Sequence, residues 1–407
     1  MDAGSTPHTK PAIFEALPFA EAAALTERDQ RLLVVDATAS WCMPCQIMDR
    51  STWVDAKLVE WLEQHARAIQ IDVDQQSDVA RRRNIRSMPT VIAFQRGKEL
   101  DRIVGARGPA ELIEWLEGVL REERNADRIR AQVTSTEAQT GKKDIRGRLD
   151  LASALLLSGE LSAATQEYCW LWNHMLEHDE AFIGVRLSFM TFDMTALAES
   201  FQPAREAFTA LREQTAVRLS SAAPRATDRV DWIVLNRVLD DNDRTLVWFE
   251  QARTDPSALR LSAAAVHELE ELLLSRRRWS DVAIFYPDPI ASLQEQAGML
   301  TMDVPNIPDL PEQPDFHAIH LRMFSDFTAR LYAALLAAGR DDEARSVAEE
   351  ARRLEPSPET ILAMVSKACD AGQSRPEHWT WIDAADVRDL SDCVEVRKRL
   401  ESCQKST

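Results

Sequence analysis

Cys42 and Cys45 stand three residues apart in the run Trp41-Cys42-Met43-Pro44-Cys45. Across the first turn of a helix, two thiols at this spacing lie on one face and can close a short disulfide. Cys42, nearer the helix N-terminus, meets orphan backbone N–H groups and the positive end of the helix dipole, which stabilise its thiolate. It is the expected attacking nucleophile. The same pair could supply half of a zinc site, but zinc needs a second ligand pair, and residues 1–125 offer none. The expected metal content is therefore none, and the expected redox group is the Cys42–Cys45 disulfide itself.

The elements that must position these thiols can be read along the chain. Ile13, Leu17, Phe19, Ala20, Ala23 and Ala24 suggest a first helix broken near Pro18. Leu32 to Val35 is a short apolar run of the kind that forms a buried strand, and Asp36 closes it. A helix is expected from the cysteines to about Gln64, kinked or broken on the way. Ala68–Val73 reads as a strand, Ser77–Arg83 as a polar helix, Thr90–Gln95 and Leu100–Val104 as a hairpin around Arg96-Gly97-Lys98, and Glu111–Leu120 as an apolar helix. Burial at the end of an apolar strand disfavours the charged form of Asp36 and should raise its pKa.

The order α-β-α-β-α-β-β-α, with Trp41-Cys42-Met43-Pro44-Cys45 after a strand ending in an acid, Ser87-Met88-Pro89-Thr90 further on, and Val104-Gly105-Ala106 after that, resembles the thioredoxin family over roughly the first 120 residues. The resemblance implies thiol-disulfide exchange. It makes Cys45 the residue that resolves the mixed disulfide and Asp36 the group that helps move its proton. It also makes Met88–Pro89 a cis bond, with Met88, Pro89 and Thr90 pairing with the substrate backbone and Trp41 and Gly105 lining the same groove. Met43 and Pro44 stand where the family often has Gly-Pro, Gln46 replaces the usual basic residue, and Ala68 stands where a lysine is expected near the buried acid. Fewer neighbouring cations should leave the Cys42 thiolate less stabilised. The spacing of Met48, Thr52, Val54 and Leu58 is also similar to the reductase-type domains of bacterial transmembrane disulfide reductases.

The rest of the chain differs in kind. Only 12 glycines occur in 407 residues, a balance that favours helices. Leu151, Ala152, Leu155, Gly159, Ala164, Tyr168 and Leu171 follow a spacing that resembles tetratricopeptide helix pairs. Leu331, Leu335, Gly339, Ala344, Ala348, Ala351 and Pro356 repeat it more fully, and Leu269, Leu273, Val282 and Tyr286 more weakly. Six of the 18 prolines fall between Pro287 and Pro314 and should interrupt any helix there. The expected organisation is a flexible stretch at 1–10, a thioredoxin-like α/β domain at 11–123, a linker or solvated helix at 124–145, a helical region at 146–290, a proline-rich connector at 291–315 and a second all-α, tetratricopeptide-like region at 316–407.

His174 with His178, and His317 with His320, have spacings that can hold a metal, but neither pair has a third ligand in sequence. Cys169, Cys369, Cys393 and Cys403 read as single thiols that pack as small hydrophobes. Arg81, Arg82, Arg83 and Arg86 form a basic cluster suited to a helix end or to steering an acidic partner. The net charge of −18 argues against a general nucleic-acid binder. Residues 1–125 contribute −4 of it (16 Lys and Arg against 20 Asp and Glu), so −14 falls on residues 126–407.

No stretch approaches the roughly 20 apolar residues of a membrane span, and the scattered cysteines suggest a reducing, cytoplasmic setting rather than a disulfide framework. The expected function is a thiol-disulfide oxidoreductase, acting as a reductant of protein disulfides. Its partners would be a protein client held by the helical region and an electron-donating reductase. The competing expectation is a chaperone-like scaffold whose thioredoxin domain mainly recognises peptides.

Overall fold

The computed structural model describes residues 10–83, 85, 87–221, 224–255, 258–302, 316–384 and 391–406. Pro18 ends the extended N-terminal segment and caps α1 (Phe19–Asp29), which leads into β1 (Leu32–Thr38). The first helix therefore starts after Pro18 and not at Ile13. Upstream of it, Phe14 bridges to Ala68 and packs edge-on against Trp53 at 4.9 Å. After β1 come α2 (Met43–Ser51), α3 (Ala56–His65), β2 (Ala66–Asp72), α4 (Ser77–Arg82), β3 (Thr90–Gln95), β4 (Lys98–Val104) and α5 (Pro109–Leu120). The long helix expected from the cysteines breaks between α2 and α3, where the Asp55 carboxylate accepts from Lys57 N and Leu58 N and starts a new helix.

The four strands lie in the order β2-β1-β3-β4. β1 runs parallel to β2 and antiparallel to β3, and β3 is antiparallel to β4. All seven residues of β1 are buried, because helices cover both faces of the sheet. Leu32 and Val34 face one core with Trp53, Leu58, Trp61, Leu112 and Trp115. Leu33 and Val35 face the other with Ala22, Ile69, Ile92 and Phe94. Strand alternation places Asp36 on the Leu32–Val34 face.

Residues 125–140 form a helix, α6 (Asn125–Thr140), where a linker or solvated helix was expected. Ala126, Ile129 and Val133 recur at helical spacing and are buried. Asp101 of β4 accepts from Asn125 N and from Trp115 Nε1, both at 3.1 Å, so α6 is tied directly to the sheet domain. Arg107 pairs with Asp150 at 3.2 Å on α7 (Ile145–Leu157), which packs on α8 (Leu161–His178). The chain divides into two compact units near residue 211, so the unit holding the sheet continues through α9 (Ile183–Leu187) and α10 (Phe189–Ser200) into α11 (Gln202–Leu219).

The second unit continues with α12 (Asp228–Val238), α13 (Asn242–Ala252), α14 (Ala263–Ser275), α15 (Trp279–Val282), α16 (Pro289–Ala297), α17 (Phe316–Ala337), α18 (Asp341–Leu354), α19 (Pro358–Asp370), α20 (Glu377–Ala384) and α21 (Ser391–Ser406). The connector expected from residue 291 is helical at its start: Pro289 sits in the first turn of α16, where its missing N–H costs nothing, and Leu293 and Ala297 pack into the core. Residues 303–315 of that connector, the N-terminal residues 1–9 and Arg86 lie outside the described residues.

One local device recurs through the helical part. Gly159, Asp240, Arg277, Gly339 and Gly372 follow helices and have φ of 81°, 53°, 55°, 72° and 71°. In each case the next residue's N–H returns to the carbonyl five residues earlier: Glu160 to Leu155, Asp241 to Asn236, Arg278 to Leu273, Arg340 to Leu335 and Gln373 to Ala368, all at 2.8–2.9 Å. These are Schellman caps, and the left-handed residue reverses the chain into the next helix. Three of the five lie in the segments whose spacing resembled tetratricopeptide pairs. Among the described residues no single helix is long and apolar enough to cross a membrane; Glu180–Leu187 and Phe189–Ser200 reach that length and apolarity only when joined, and they are bent by 43°.

Candidate active site

Cys42 is the N-cap of α2, and Pro44 occupies the first turn of that helix. The backbone at Cys42 is extended (φ −83°, ψ 95°), so its side chain turns back over the orphan N–H groups, and Sγ accepts from Cys45 N at 3.3 Å. Cys42 and Cys45 are joined as a disulfide with Cα atoms 5.3 Å apart. Both are buried, 3% and 2% exposed, whereas Trp41 is 65% exposed. Trp41 Nε1 donates to Asp74 Oδ2 at 2.8 Å, which holds the indole beside the disulfide. Pro44 is exposed and Met43 half-buried.

Met88 packs with Ala39, Val73 and the two cysteines. The Met88–Pro89 bond is cis. Pro89 O accepts from Gly105 N at 2.8 Å, which draws the turn after β4 against the proline. Gly105 has φ 91°, and a Cβ there would meet the Arg107 guanidinium at 3.3 Å, so glycine suits this position twice over. Thr90 is buried and its hydroxyl donates to Ser87 O at 2.6 Å. Its side chain is thus committed to the loop, leaving only its backbone for the substrate-pairing role expected of it. Cys42, Cys45, Met88, Pro89 and Gly105 come together; Asp36 lies on β1 beneath the sheet's covering helices.

Asp36 is 2% exposed. Burial raises its pKa to about 7, against the lowering effect of a hydrogen bond from Gln70, with the Asp49 carboxylate adding to the rise. Gln70 Nε2 donates to Asp36 Oδ2 at 3.0 Å and to Asp49 Oδ1 at 2.8 Å, so one amide bridges two buried carboxylates. The lysine-like position beside the acid is therefore Gln70 and not Ala68: in the parallel register Asp36 pairs with Gln70, while Ala68 pairs with Val34. Gln70 and Asp49 were not singled out from sequence. The available signal was Asp49 lying four residues after Cys45, on the same helical face.

The other candidates lead elsewhere. His174 pairs with Glu177 and, with His178, packs along Trp170. Among the described residues no cluster of three or more His, Cys, Asp or Glu is arranged to hold a metal. Arg81 pairs with Asp78, and the Arg83 guanidinium lies over Phe19 and Phe94 at 4.3 and 5.1 Å, so the basic run is partly spent on local contacts.

The thioredoxin family model matches residues 19–118. Thioredoxin H2 of Arabidopsis thaliana is 37% identical over 81 residues, covering 20% of this chain and 58% of that protein. Thioredoxin-2 of Saccharomyces cerevisiae is 41% identical over 83 residues, covering 20% of this chain and 73% of that protein. A thioredoxin from Thermus thermophilus, solved in solution, is 28% identical, with 25% of this chain and 84% of that one covered and a TM-score of 0.24. The chain spans only about half to three quarters of these two curated relatives, and they span a fifth of it. A disulfide at the start of α2, a cis Met88–Pro89 bond whose methionine packs against it and a buried acid on the central strand coincide with the matched residues: through its N-terminal domain, this chain belongs to the thioredoxin family.

Proposed function

We propose that the protein is a thiol-disulfide oxidoreductase that reduces disulfides in protein clients. The observation that carries this reading is the Cys42–Cys45 pair at the head of α2, which follows a strand holding the buried acid Asp36. In the reduced enzyme the Cys42 thiolate attacks one sulfur of a client disulfide, forming a mixed disulfide and releasing one client thiolate, which takes up a proton. Cys45 then loses its proton to Asp36 and attacks Cys42 Sγ, restoring the Cys42–Cys45 disulfide and releasing the second client thiol. A dithiol reductase returns two electrons and two protons. With its pKa near 7, Asp36 can both accept and release the proton at neutral pH. A reducing, cytoplasmic setting belongs to the same proposal.

The helical region, on this reading, holds the client. A cleft of about 560 Å³ in the second unit lies between the end of α11, α12 and α13. Trp232 and Trp248 stand edge to face at 6.4 Å, and the Arg229 guanidinium lies 4.2 Å over Trp248 with no ion pair among the described residues. An aromatic cleft with an uncommitted cation suits a client segment that presents a carboxylate beside an apolar side chain.

Reduction of insulin disulfides by the full chain tests the chemistry. Cys42→Ser should abolish turnover, and Cys45→Ser should accumulate the mixed disulfide. If Cys45 alkylates first at neutral pH, or if the full chain shows no turnover, the reading fails and a peptide-binding scaffold takes its place. Clients trapped by Cys45→Ser should change when Arg229→Ala and Trp248→Ala are added. Identical clients in equal yield would remove the cleft from the proposal.

A further inference from the structure

Two thiols outside the thioredoxin domain meet across a helix pair. Along α19, Leu362, Val365 and Cys369 follow one face, and along α21 so do Val396, Leu400 and Cys403. Leu362, Val365, Val396 and Leu400 form one buried cluster with Ile382, and Cys369 packs against it. Both stripes end together: Cys403 Sγ lies 3.9 Å from Cys369 O. Arg399 closes the same end, 3.6 Å from the Asp370 carboxylate and 3.4 Å from Ser366 Oγ. Both cysteines are half-buried.

A sulfur this close to its partner's own backbone is within the short reach that a disulfide demands, given a side-chain rotation. We propose that Cys369 and Cys403 form a second, reversible disulfide that locks α21 onto α19 under oxidising conditions. The apolar stripes that hold the two helices supply the alignment, and 34 residues of separation mean that closing the bond constrains a long loop.

The oxidant is a small-molecule disulfide such as oxidised glutathione. The Cys403 thiolate attacks one of its sulfurs, giving a mixed disulfide at Cys403 and one released thiol. Cys369 then attacks Cys403 Sγ, loses its proton to solvent, and displaces the second small thiol. The protein loses two electrons and two protons, and both appear in the two small thiols. Burial and the neighbouring Cys403 thiol push the Cys369 thiol up to about 12, which disfavours a first thiolate at Cys369.

The test uses the full chain carrying Cys42→Ser and Cys45→Ser, which leaves four of the six cysteines and makes the outcome independent of the thioredoxin site. After equilibration with oxidised glutathione, peptide mass mapping should show Cys369 linked to Cys403, with a loss of two of the four titratable thiols and a raised melting temperature that dithiothreitol reverses. Adding Cys403→Ser should abolish the link and the shift in melting temperature. Linkage of Cys369 or Cys403 to Cys393 instead, stable glutathione adducts at Cys403 without closure, or four unchanged thiols would each overturn the proposal.

Discussion

The sheet domain and the helical region treat buried acids in opposite ways. In the helical region Asp228 is fully buried and accepts from Arg218 Nε at 2.8 Å and from Arg225 N at 2.8 Å. Asp281 is buried too and lies 2.8 Å from Arg253 and 2.6 Å from Arg278 Nε. In the sheet domain Asp36 is as deeply buried, yet its hydrogen bond comes from the neutral Gln70 amide, and a second carboxylate shares that amide. Removing a charge from water is costly, and paired arginines offset the cost where structure is the only requirement. An acid left without a cation lowers stability at neutral pH, and such groups concentrate where a proton must move.

The sharpest test of this contrast makes one substitution in both places. The rise of the Asp36 pKa from 3.8 to about 7 means that the folded state holds a proton which the unfolded state has released between those values. Stability from this group is present below about pH 4, falls as pH rises, and is fully lost above about pH 7, a difference of about 4 kcal/mol. Asp36→Asn should therefore raise stability above pH 7, have little effect below pH 4, and slow the resolving step near neutrality more than at high pH. Denaturant melts across that range read the first effect and stopped-flow reduction the second. A rate loss independent of pH would assign Asp36 a packing role.

Asp228→Asn should act in the opposite direction. It leaves the Arg218 guanidinium, 31% exposed, without its carboxylate, and should cost about 2 kcal/mol at pH 7 after allowing for that exposure. A stabilising effect there would erase the distinction between the two regions.

Gln70→Lys would import the helical region's solution into the sheet. An ammonium at the bridging position should lower the Asp36 pKa by roughly 1 pH unit and narrow the pH window of its stability effect. Carboxyl NMR titration of the reduced protein checks this, and an unchanged midpoint would mean that the lysine turns away from the pair.

The smallest effects concern the helical turns. Gly159→Ala and Gly339→Ala place a Cβ that meets nothing within 4 Å, so their cost is the left-handed φ alone, about 1 kcal/mol each. Arg277→Gly, at the same place in another turn with φ 55°, should stabilise by a little less than ~1 kcal/mol. Equal thermal shifts of the same sign for all three would show that the turns are not equivalent.

How much of this could be read in advance varies with the range of the interactions. The three-residue spacing of Cys42 and Cys45 is a local signal, so their place at a helix start was legible from the residues, whereas Pro89 and Gly105 were legible only through the resemblance to the thioredoxin family. The split between α2 and α3 was legible only as a kink, because the Asp55 cap decides its position. Pro289 pointed toward a connector because a proline disfavours a helix interior, yet the same residue opens α16.

By itself the amino-acid order determined the strand and helix alternation of the first 120 residues, the cysteine pair at a helix start, and the helical character of the remainder. These follow from periodicity and from propensities that act over a few residues. Only the tertiary structure decided that Gln70 faces Asp36, that Asp49 shares its amide, that α6 joins the sheet without a spacer, and that Cys369 meets Cys403. A parallel register joins residues 34 apart with no turn to set the offset, and a shift of two residues along the strand exchanges Gln70 for Ala68 while keeping every side chain on its face. Which neighbour the buried acid receives is therefore a property of the whole packed sheet.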